Sequence, residues 1–520
     1  MKRRSFLKHT LTMTAAGAWL SRCTPTNTSG SERPNILIIH TDEHRIDCLG
    51  AYGNKQIKTP NIDALASDGV LYNNSFCSYP VCTPSRYSLV SGLYVREHGG
   101  YSNHCTLRPE VITFPALLKE AGYKTKAVGK MHYTPTYFDV GFSEMELAEQ
   151  NGPGRWDDDY HRDLRDHDLV DYNDLEDQLR VYRKKAPKSY FESCGARVSN
   201  LPEKYHSTTW IGERAVDAIA AWSSDTPHFL MAGFIKPHHP FDPPEKWAAM
   251  YDAEETEILP GWTDECFAHD LARSRGYFPH VELTEAKIKK ATAYYYAGIT
   301  QIDHFVGKMT SLLKQKKMYD KTMIIFTSDH GEYLGFHHML LKGNYNYEPL
   351  AKVPLIIKYP GQASGGQVNN ELVSTIDLAP TILKTAHLQP ANTMSGLNLA
   401  DNSTPRKILI AENSRDTIMA RSHTKKLIVK MKQNKPVIGL LFDLEKDPLE
   451  LNNLYDNPAY AEHQTQLFSA IESWLKDTTP VEQYLNQNAP QISQPNVPPL
   501  DLSHRQEMIE YFRKKMEAFA

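Results

Sequence analysis

The chain contains several short apolar runs, each of which ends in a cluster of polar residues. Four of these runs cover residues 35–40, 125–128, 229–235 and 323–327. Their residues are mostly apolar without alternation, which is typical of strands buried on both faces of a sheet. Helical patterns lie between the runs, over 59–66, 113–122 and 286–317. This alternation predicts an α/β fold with a large, mostly parallel sheet and helices on both of its faces.

In an open sheet of this kind, ligands bind beyond the carboxyl ends of the strands. The polar clusters follow the apolar runs directly, so we expect them to lie together at that edge. They contain Asp42, Glu43, Lys130, His132, His238, His239, Asp329 and His330. The sequence therefore predicts a functional site at this edge without reference to any family.

The length of 520 residues suits one large domain and a smaller one. A Pro/Gly-rich stretch at 360–366 indicates the boundary. Paired strands at 425–430 and 436–444, followed by a helix that opens at Asp447, predict a smaller α+β unit. Ser503 and Gln506 can cap a terminal helix. We divide the chain into an export signal and linker (1–30), a catalytic domain (31–365), a C-terminal α+β subdomain (366–479), and a Pro-rich arm with a terminal helix (480–520).

The first thirty residues indicate an export signal rather than a folded element. A basic start with Arg3 and Arg4 precedes a mild apolar stretch and a Thr/Ser/Pro-rich linker. The arginine pair resembles the bacterial twin-arginine signal and predicts export to the periplasm or cell surface, with a basic disordered tail as the alternative. Cys23 is a candidate lipid anchor, although Arg22 stands where such sites have a small residue. No apolar run has the roughly 18 residues that span a bilayer.

Composition excludes some classes of partner. With a net charge of −4, the chain has no excess of positive charge for binding the phosphates of nucleic acid, so nucleic acid is not expected as a partner. The seven cysteines are sparse and form no C-x-x-C pair. The sequence therefore indicates neither a disulfide framework nor a zinc knuckle, although one or two bridges after export stay open.

The segment Cys82-Thr83-Pro84-Ser85-Arg86 indicates an anion-binding helix start. Thr83 is expected to cap a helix with Pro84 in its first turn, which places Cys82 at the helix N-terminus. The unpaired N–H groups there attract anions and lower the pKa of a thiol. Arg86, one turn in, offers a fork of donors for a tetrahedral oxyanion. A buried cysteine beside a surface arginine is the alternative interpretation.

Two aspartates predict a metal site. Asp42 and Asp329 each follow a buried strand, and Glu43 and His330 are their neighbours. Oxygen-rich ligation suits a hard divalent ion, Ca²⁺ or alternatively Mg²⁺. His330 is atypical for Ca²⁺ and leaves room for another metal. The alternative for any single aspartate after a strand is a helix cap or a loop turn.

Two lysines and two histidines complete the candidate site. Lys130 and Lys342 can neutralise a bound anion, and His132 and His238 can move protons near neutral pH. Taken singly, each also fits a surface charge or a loop histidine, and position alone does not choose between His238 and His239. There is no Walker loop, no H-E-x-x-H helix and no G-x-S-x-G elbow.

The combined pattern resembles the type I, formylglycine-dependent sulfatases of the alkaline phosphatase-like superfamily. Residues 82–86 match the signature C-x-P-S-R, and the resemblance extends from 34–36 through 129–132, 236–238 and 328–331 to Lys342. It resumes at 441–444 and 447–454 and thus covers nearly the whole mature chain. One departure is Glu43, because many members have a second aspartate there. The Asp329-His330 pair matches the relatives that are similar to iduronate sulfatase and choline sulfatase.

The resemblance implies that Cys82 is oxidised to formylglycine (3-oxoalanine) by a maturation enzyme, and that its hydrated aldehyde is the nucleophile. It implies Ca²⁺ ligation by Asp42, Glu43, Asp329, His330 and the modified Cys82. Arg86 would hold the formylglycine, and Lys130 and Lys342 would bind the sulfate oxygens. His238 would assist departure of the alcohol, and His132 would help expel sulfate by taking a proton from the second diol hydroxyl.

The resemblance implies a sulfuric ester hydrolase, and the predicted export favours a sulfated saccharide as substrate. A phosphodiester or phosphonate monoester hydrolase is the nearest alternative, because relatives with the same nucleophile cleave phosphorus esters. A non-catalytic protein that binds sulfated glycans is an alternative of another class. Candidates for sugar recognition are Arg96, Asn103, His104 and, in the charged segment 152–188, Trp156, His161, Arg162 and Arg165.

Overall fold

The computed structural model describes residues 33–150, 158–177, 188–273, 278–343, 345–362, 365–401, 405–433, 435–492 and 502–519. The predicted export signal, with Arg3, Arg4 and Cys23, lies outside these residues, and so does Trp156. No helix in the described ranges is long and apolar enough to cross a bilayer.

A large sheet of eight strands confirms the predicted fold class. Its order is β4-β3-β5-β1-β6-β7-β2-β8, and only β7 runs antiparallel to its neighbours. The four predicted strands are β1, β3, β5 and β6. The strands of this sheet are β1 (Asn35–Asp42), β2 (Val70–Phe76), β3 (Lys124–Gly129), β4 (Glu144–Leu147), β5 (His228–Pro237), β6 (Thr322–Ser328), β7 (Leu355–Lys358) and β8 (Gln367–Ser374).

Helices flank the large sheet and fill the connections. The predicted helices at 59–66, 113–122 and 286–317 are α1, α4 and α11. The α-helices of the described residues are α1 (Pro60–Asp68), α2 (Cys82–Ser91), α3 (Val95–His98), α4 (Phe114–Glu120), α5 (Asp159–Asp166), α6 (Tyr172–Leu175), α7 (Lys188–Ser193), α8 (Ser207–Ala220), α9 (Glu245–Ala248), α10 (Ala268–Arg273), α11 (Glu285–Gln315), α12 (Glu348–Ala351), α13 (Leu378–Thr385), α14 (Ala461–Asp477) and α15 (Leu502–Phe519).

The alternation of side chains along β1 shows why the strands are apolar throughout. Leu37 and Ile39 pack into a core shared with α1, α8 and α11, whereas Ile36 and Ile38 pack into a second core shared with α2, α4 and α13. Successive residues of a strand point to opposite faces. Both faces are therefore covered, and a polar side chain can reach solvent or a ligand only at the strand ends.

A smaller antiparallel sheet follows in the C-terminal region. Its order is β12-β11-β10-β9, with strands β9 (Leu409–Asn413), β10 (Thr417–Arg421), β11 (Lys425–Lys432) and β12 (Lys435–Asp443). The pair β11 and β12 confirms the predicted strands at 425–430 and 436–444. Since β8 pairs with β2, the change from the large to the small sheet falls between Ser374 and Leu409.

One predicted helix start in this region was wrong. No helix opens at Asp447, because its carboxylate accepts hydrogen bonds from the backbone N–H groups of Leu451 and Asn452 and so closes a turn. The helix begins instead at Ala461. The predicted terminal helix is present as α15, which begins at Leu502, within one residue of Ser503.

Candidate active site

The carboxyl ends of four adjacent parallel strands bring the predicted residues to one edge of the sheet. Strands β3, β5, β1 and β6 are neighbours in that order. Asp42 ends β1, and Lys130, His238 and Asp329 directly follow β3, β5 and β6. All four side chains are buried. The predicted convergence at the strand ends is thus present.

Two glycines let the chain bring Lys130 to this edge. Gly129 has a φ of 89°, and a Cβ atom built on it would lie 2.1 Å from the carbonyl oxygen of Gly233 on β5. Lys130 then donates its backbone N–H to that same carbonyl at 2.7 Å. Only glycine allows this conformation and this close approach of two strands.

Cys82 lies in the first turn of α2, as predicted, but the start of this helix differs from the expectation. The helix begins at Cys82 itself, after Val81, so Thr83 is not the cap. The Thr83 hydroxyl instead donates to the carbonyl oxygen of His132 at 2.7 Å, and the Ser85 hydroxyl donates to that of Asp329 at 2.6 Å. The first turn of α2 is thereby fixed to the loops that follow β3 and β6.

Arg86 connects three of the four strand ends. Its Nε donates to Asp329 Oδ2 at 3.0 Å and its Nη2 to Asp42 Oδ2 at 2.9 Å. Its Nη1 donates to the carbonyl oxygen of Lys130 at 2.7 Å. The predicted alternative of a surface arginine is excluded, because Arg86 is fully buried. The guanidinium orients both aspartates through one oxygen of each carboxylate.

Asp42, Cys82, Asp329 and His330 form a group that can hold a metal ion. One potential ligand atom from each residue lies within 4.8 Å of those of the others. Cys82 Sγ is 3.7 Å from Asp42 Oδ1 and 3.4 Å from His330 Nε2. Two carboxylates in a fully buried group suit a hard divalent cation, and the imidazole widens the choice of metal.

Glu43 belongs to a second group beside this one. Its Oε2 lies 3.0 Å from Lys342 Nζ and 3.2 Å from both His238 Nε2 and His239 Nδ1. Its backbone N–H donates to Asp329 Oδ1 at 3.0 Å. The carboxylate thus contacts the predicted sulfate-binding lysine and the predicted proton-transfer histidine, while its role as a metal ligand stays a prediction.

Lys130 contacts Asp42, and His132 lies two residues further along the loop that follows β3. Lys130 Nζ is 2.8 Å from Asp42 Oδ2 and donates to Gln150 Oε1 at 3.3 Å. The ring of His132 is buried, and neither of its nitrogens has a hydrogen-bond partner among the described residues. A buried imidazole without a partner is unfavourable unless a ligand or water completes it. His132 is therefore available to a bound substrate.

The surrounding charges set the ionisation of these groups. Burial by itself raises the pKa of Asp42, but the positive charges of Lys130 and Arg86 hold that pKa well below its usual range. Burial, reinforced by Lys130 and Arg86, lowers the pKa of His132 well below its usual value. Burial, with His239 and Lys342, does the same for His238. These shifts favour the neutral form of both imidazoles near pH 7.

Several residues of this site were not predicted from the sequence. Gln150 bonds Lys130 and donates from Nε2 to Asp174 Oδ1 at 2.9 Å and to the carbonyl oxygen of His239 at 2.7 Å. His239 contacts Glu43 through Nδ1 and lies 3.4 Å from Asp177 Oδ2 through Nε2. No motif marks these residues. Only the adjacency of His239 to His238 was a signal, and the sequence left that choice open.

The residues proposed for sugar recognition have largely structural surroundings. Arg96 is buried with its guanidinium 4.9 Å from the Trp474 ring centre, and Asn103 accepts a hydrogen bond from the backbone N–H of Thr83. His161 is buried against Asp158 and Phe512. Two acidic residues of the charged segment, Asp174 and Asp177, are buried beside Gln150 and His239, so this segment contributes two carboxylates near the site.

The carboxyl edge of a mostly parallel sheet thus carries a group of potential metal ligands and the N-terminus of a buried helix. A family model described as "Sulfatase" matches residues 34–388, and one described as "N-sulphoglucosamine sulphohydrolase, C-terminal" matches residues 335–477. An arylsulfatase of Clostridium perfringens is 30% identical over 454 residues, which is 83% of this chain and 92% of that protein.

Other similar proteins agree with this family. An N-acetylglucosamine-6-O-sulfatase of Bacteroides thetaiotaomicron is 25% identical and covers 90% of both chains. The phosphonate monoester hydrolase of Agrobacterium radiobacter has the same fold, with a TM-score of 0.70 at 23% identity over 86% of this chain and 96% of that one. The chain belongs to the sulfatase family and is a sulfuric ester hydrolase.

Proposed function

We propose that this sulfatase removes sulfate from a sulfated saccharide, with formylglycine at position 82 as nucleophile and Ca²⁺, or alternatively Mg²⁺, as cofactor. One observation carries the proposal: Cys82 Sγ lies in the first turn of α2, 3.7 Å from Asp42 and 3.4 Å from His330, within a fully buried group of metal-binding character. A formylglycine diol supplies an oxygen nucleophile, and a divalent cation supplies a positive charge that eases its deprotonation.

The residues of the chain suit the remaining tasks. Asp42, Asp329 and His330, with Glu43 as a predicted fourth residue, would hold the cation, and Arg86 keeps both aspartates in place. Lys130 and Lys342 approach from the sides of Asp42 and Glu43, where they can bind the sulfate oxygens. A neutral His132 can accept a proton from the diol. Glu43, which pairs with Lys342, also contacts His238. His238 can assist departure of the alcohol.

A saccharide is supported by the substrates of similar proteins. The N-acetylglucosamine-6-O-sulfatase noted above is one, and an ulvan-active sulfatase of Formosa agariphila, 25% identical over 86% of this chain and 81% of that protein, is another. A solved structure with D-glucosamine-2-N,6-O-disulfate as substrate has a TM-score of 0.65 over 86% of this chain and 98% of that one. A phosphonate monoester hydrolase is the second candidate, because that fold also matches.

The test is sulfate release, measured by ion chromatography from sulfated glycosaminoglycan, ulvan and carrageenan oligosaccharides, choline sulfate and an aryl sulfate. The enzyme is co-expressed with a formylglycine-generating enzyme, and mass spectrometry checks conversion of Cys82. We expect release from a saccharide by the wild type, none by Cys82→Ala, and full release by Cys194→Ala, a buried cysteine outside the site. Turnover of an aryl phosphonate alone, by fully converted enzyme, would favour the phosphonate hydrolase. Binding without any turnover would favour a glycan-binding protein.

We also propose that the chain is exported through the twin-arginine pattern at Arg3 and Arg4, and that Cys23 is its lipid anchor. All three residues lie outside the described part of the structure. Fractionation of bacteria that express the wild type and an Arg3→Lys, Arg4→Lys double variant tests export, and phase partitioning of Cys23→Ala tests the anchor. Retention of the double variant in the cytoplasm is the expected result, and unchanged fractionation would contradict it.

A further inference from the structure

A cavity of about 470 Å³ lies where the small sheet meets α10 and the segment after Lys342. Its walls include His269 and Ala272 of α10, Tyr345, and Asn413, Thr417 and Lys430 of the small sheet. This volume falls in the range of roughly 300–1,000 Å³ that is usual for ligand sites. None of these residues belongs to the metal-binding group or to the group around Glu43.

One wall of the cavity is aromatic and held in place. The ring centre of His269 lies 4.9 Å from that of Tyr345 and 5.0 Å from that of Phe267. His269 Nε2 lies 3.2 Å from the Tyr347 hydroxyl, and the Tyr333 hydroxyl donates to the carbonyl oxygen of Tyr345 at 2.7 Å. Fixed rings of this kind offer an apolar surface without loss of side-chain freedom on binding.

The opposite wall is polar and incompletely paired. Asn413 is buried, with 6% of its surface exposed, and its Nδ2 has no hydrogen-bond partner among the described residues. A buried amide donor normally has a partner, so this one indicates a missing acceptor. Lys430 lies at the rim with 45% of its side chain exposed and 3.6 Å from Asp416. Ser414 and Asp416 also line the cavity, so its lining combines aromatic rings with amide, hydroxyl, carboxylate and ammonium groups. Such a lining suits the apolar face and the hydroxyl groups of a sugar, and the exposed Lys430 can also face an acidic group.

Residues that line the cavity belong to, or contact, the segments that carry the proposed catalytic residues. Tyr345 follows Lys342 by three residues. Glu412, which precedes Asn413, donates its backbone N–H to the carbonyl oxygen of Ser78 at 2.8 Å, and Ser78 lies four residues before Cys82. These connections place two walls of the cavity next to the segments that carry Cys82 and Lys342.

We propose that the cavity is a second saccharide subsite, which binds a neighbouring acidic sugar unit while the sulfated unit occupies the site at Cys82. The inference rests on the proposed function. Tyr345 and His269 contact the sugar face, Asn413 Nδ2 donates to a hydroxyl oxygen, and Lys430 pairs with a carboxylate or a second sulfate. The subsite makes the enzyme prefer oligosaccharides over short sulfate esters.

The test compares 4-nitrophenyl sulfate with sulfated tetrasaccharides from glycosaminoglycan, ulvan and carrageenan. Lys430→Ala and Tyr345→Ala are the variants, and Lys432→Ala, on the same strand but outside the cavity, is the matched control. We expect each variant to lower kcat/KM for the best tetrasaccharide by about tenfold, through KM, which is the effect of losing one charged or aromatic contact. Hydrolysis of 4-nitrophenyl sulfate and the Lys432→Ala control are expected to match the wild type.

Equal losses on both substrates, or no loss on the tetrasaccharide, would overturn the subsite. If no substrate is turned over, the proposed function fails. Calorimetry of tetrasaccharide binding to Cys82→Ala then tests the subsite separately. Tetrasaccharide binding that is weakened by the additional change Lys430→Ala supports the subsite. Absence of binding by every tetrasaccharide, or binding that is insensitive to Lys430→Ala, refutes it.

Discussion

Replacement of Arg86 by lysine tests whether the guanidinium organises the site or merely balances its charge. Arg86 donates three hydrogen bonds, to Asp42, Asp329 and the carbonyl oxygen of Lys130, at 2.7–3.0 Å. A lysine keeps the positive charge but offers one compact ammonium, which cannot reach all three acceptors. Arg86→Lys is therefore expected to lose two of the three hydrogen bonds within a fully buried group.

The expected loss of stability follows from these contacts. A hydrogen bond to a charged group contributes about 1.5–3 kcal/mol, so two lost bonds cost about 3–6 kcal/mol. The entropy of unfolding is about 2.1 cal/mol/K per residue, or about 1 kcal/mol/K for a chain of this length, which converts the loss to a fall in Tm of about 3–6 °C. A bound divalent cation would itself hold Asp42 and Asp329 in place, so the fall in Tm is expected to be larger in EDTA than in calcium.

Scanning calorimetry of the wild type and Arg86→Lys, each with calcium and with EDTA, measures this effect. Arg108→Lys is the matched control, because Arg108 pairs with Glu110 at the surface and such pairs contribute little. Sulfate release by Arg86→Lys is expected to fall at least about tenfold, the effect of about 1.4 kcal/mol in the transition state. A Tm within 1 °C of the wild type in EDTA, together with full activity, would refute the role assigned to the guanidinium.

Two further changes probe the residues that the sequence did not reveal. In Gln150→Leu, Lys130 loses a hydrogen-bond acceptor, and both Asp174 and the carbonyl oxygen of His239 lose a donor. We therefore expect kcat/KM for sulfate release to fall about tenfold or more. Unchanged kinetics would contradict this prediction. Glu412→Gln tests a buried carboxyl group, because burial raises the pKa of Glu412 to about 8. Folding therefore favours the protonated form of Glu412. The wild type loses stability as the pH rises from about 4.5 to 8. The Tm of Glu412→Gln relative to the wild type is therefore expected to rise between pH 5 and pH 8, and a constant difference would show that Glu412 does not titrate in this range.

Local sequence patterns predicted the elements that depend on local burial. The continuous apolar runs became β1, β3, β5 and β6, because a strand covered on both faces has no position that favours a polar side chain. The residues after these strands, such as Asp42 and Asp329, were correctly placed at one edge, since parallel strands present their carboxyl ends together. The position of Cys82 in a first helical turn also followed from the segment 82–86.

Errors arose where a side chain had a distant or competing partner. Thr83 has the residue type of a helix cap, but its hydroxyl bonds the carbonyl of His132, 49 residues away in sequence. Asp447 and Pro448 resemble a helix start, but the Asp447 carboxylate closes a turn. In both cases the same side-chain oxygen can satisfy two local structures of similar energy, and tertiary contacts select between them.

The sequence by itself thus determined the order of strands and helices, the polar residues at the strand ends and the position of the segment 82–86 at a helix start. Only the tertiary structure decided which side chains touch: that Arg86 joins Asp42 to Asp329, that Glu43 faces Lys342, His238 and His239, and that Gln150 supports Lys130. The burial of an element is reflected in the spacing of apolar residues along the sequence, so it can be recognised from a short segment. The pairing of buried charges depends on distances between residues that are far apart in sequence, and these distances exist only once the sheet is assembled.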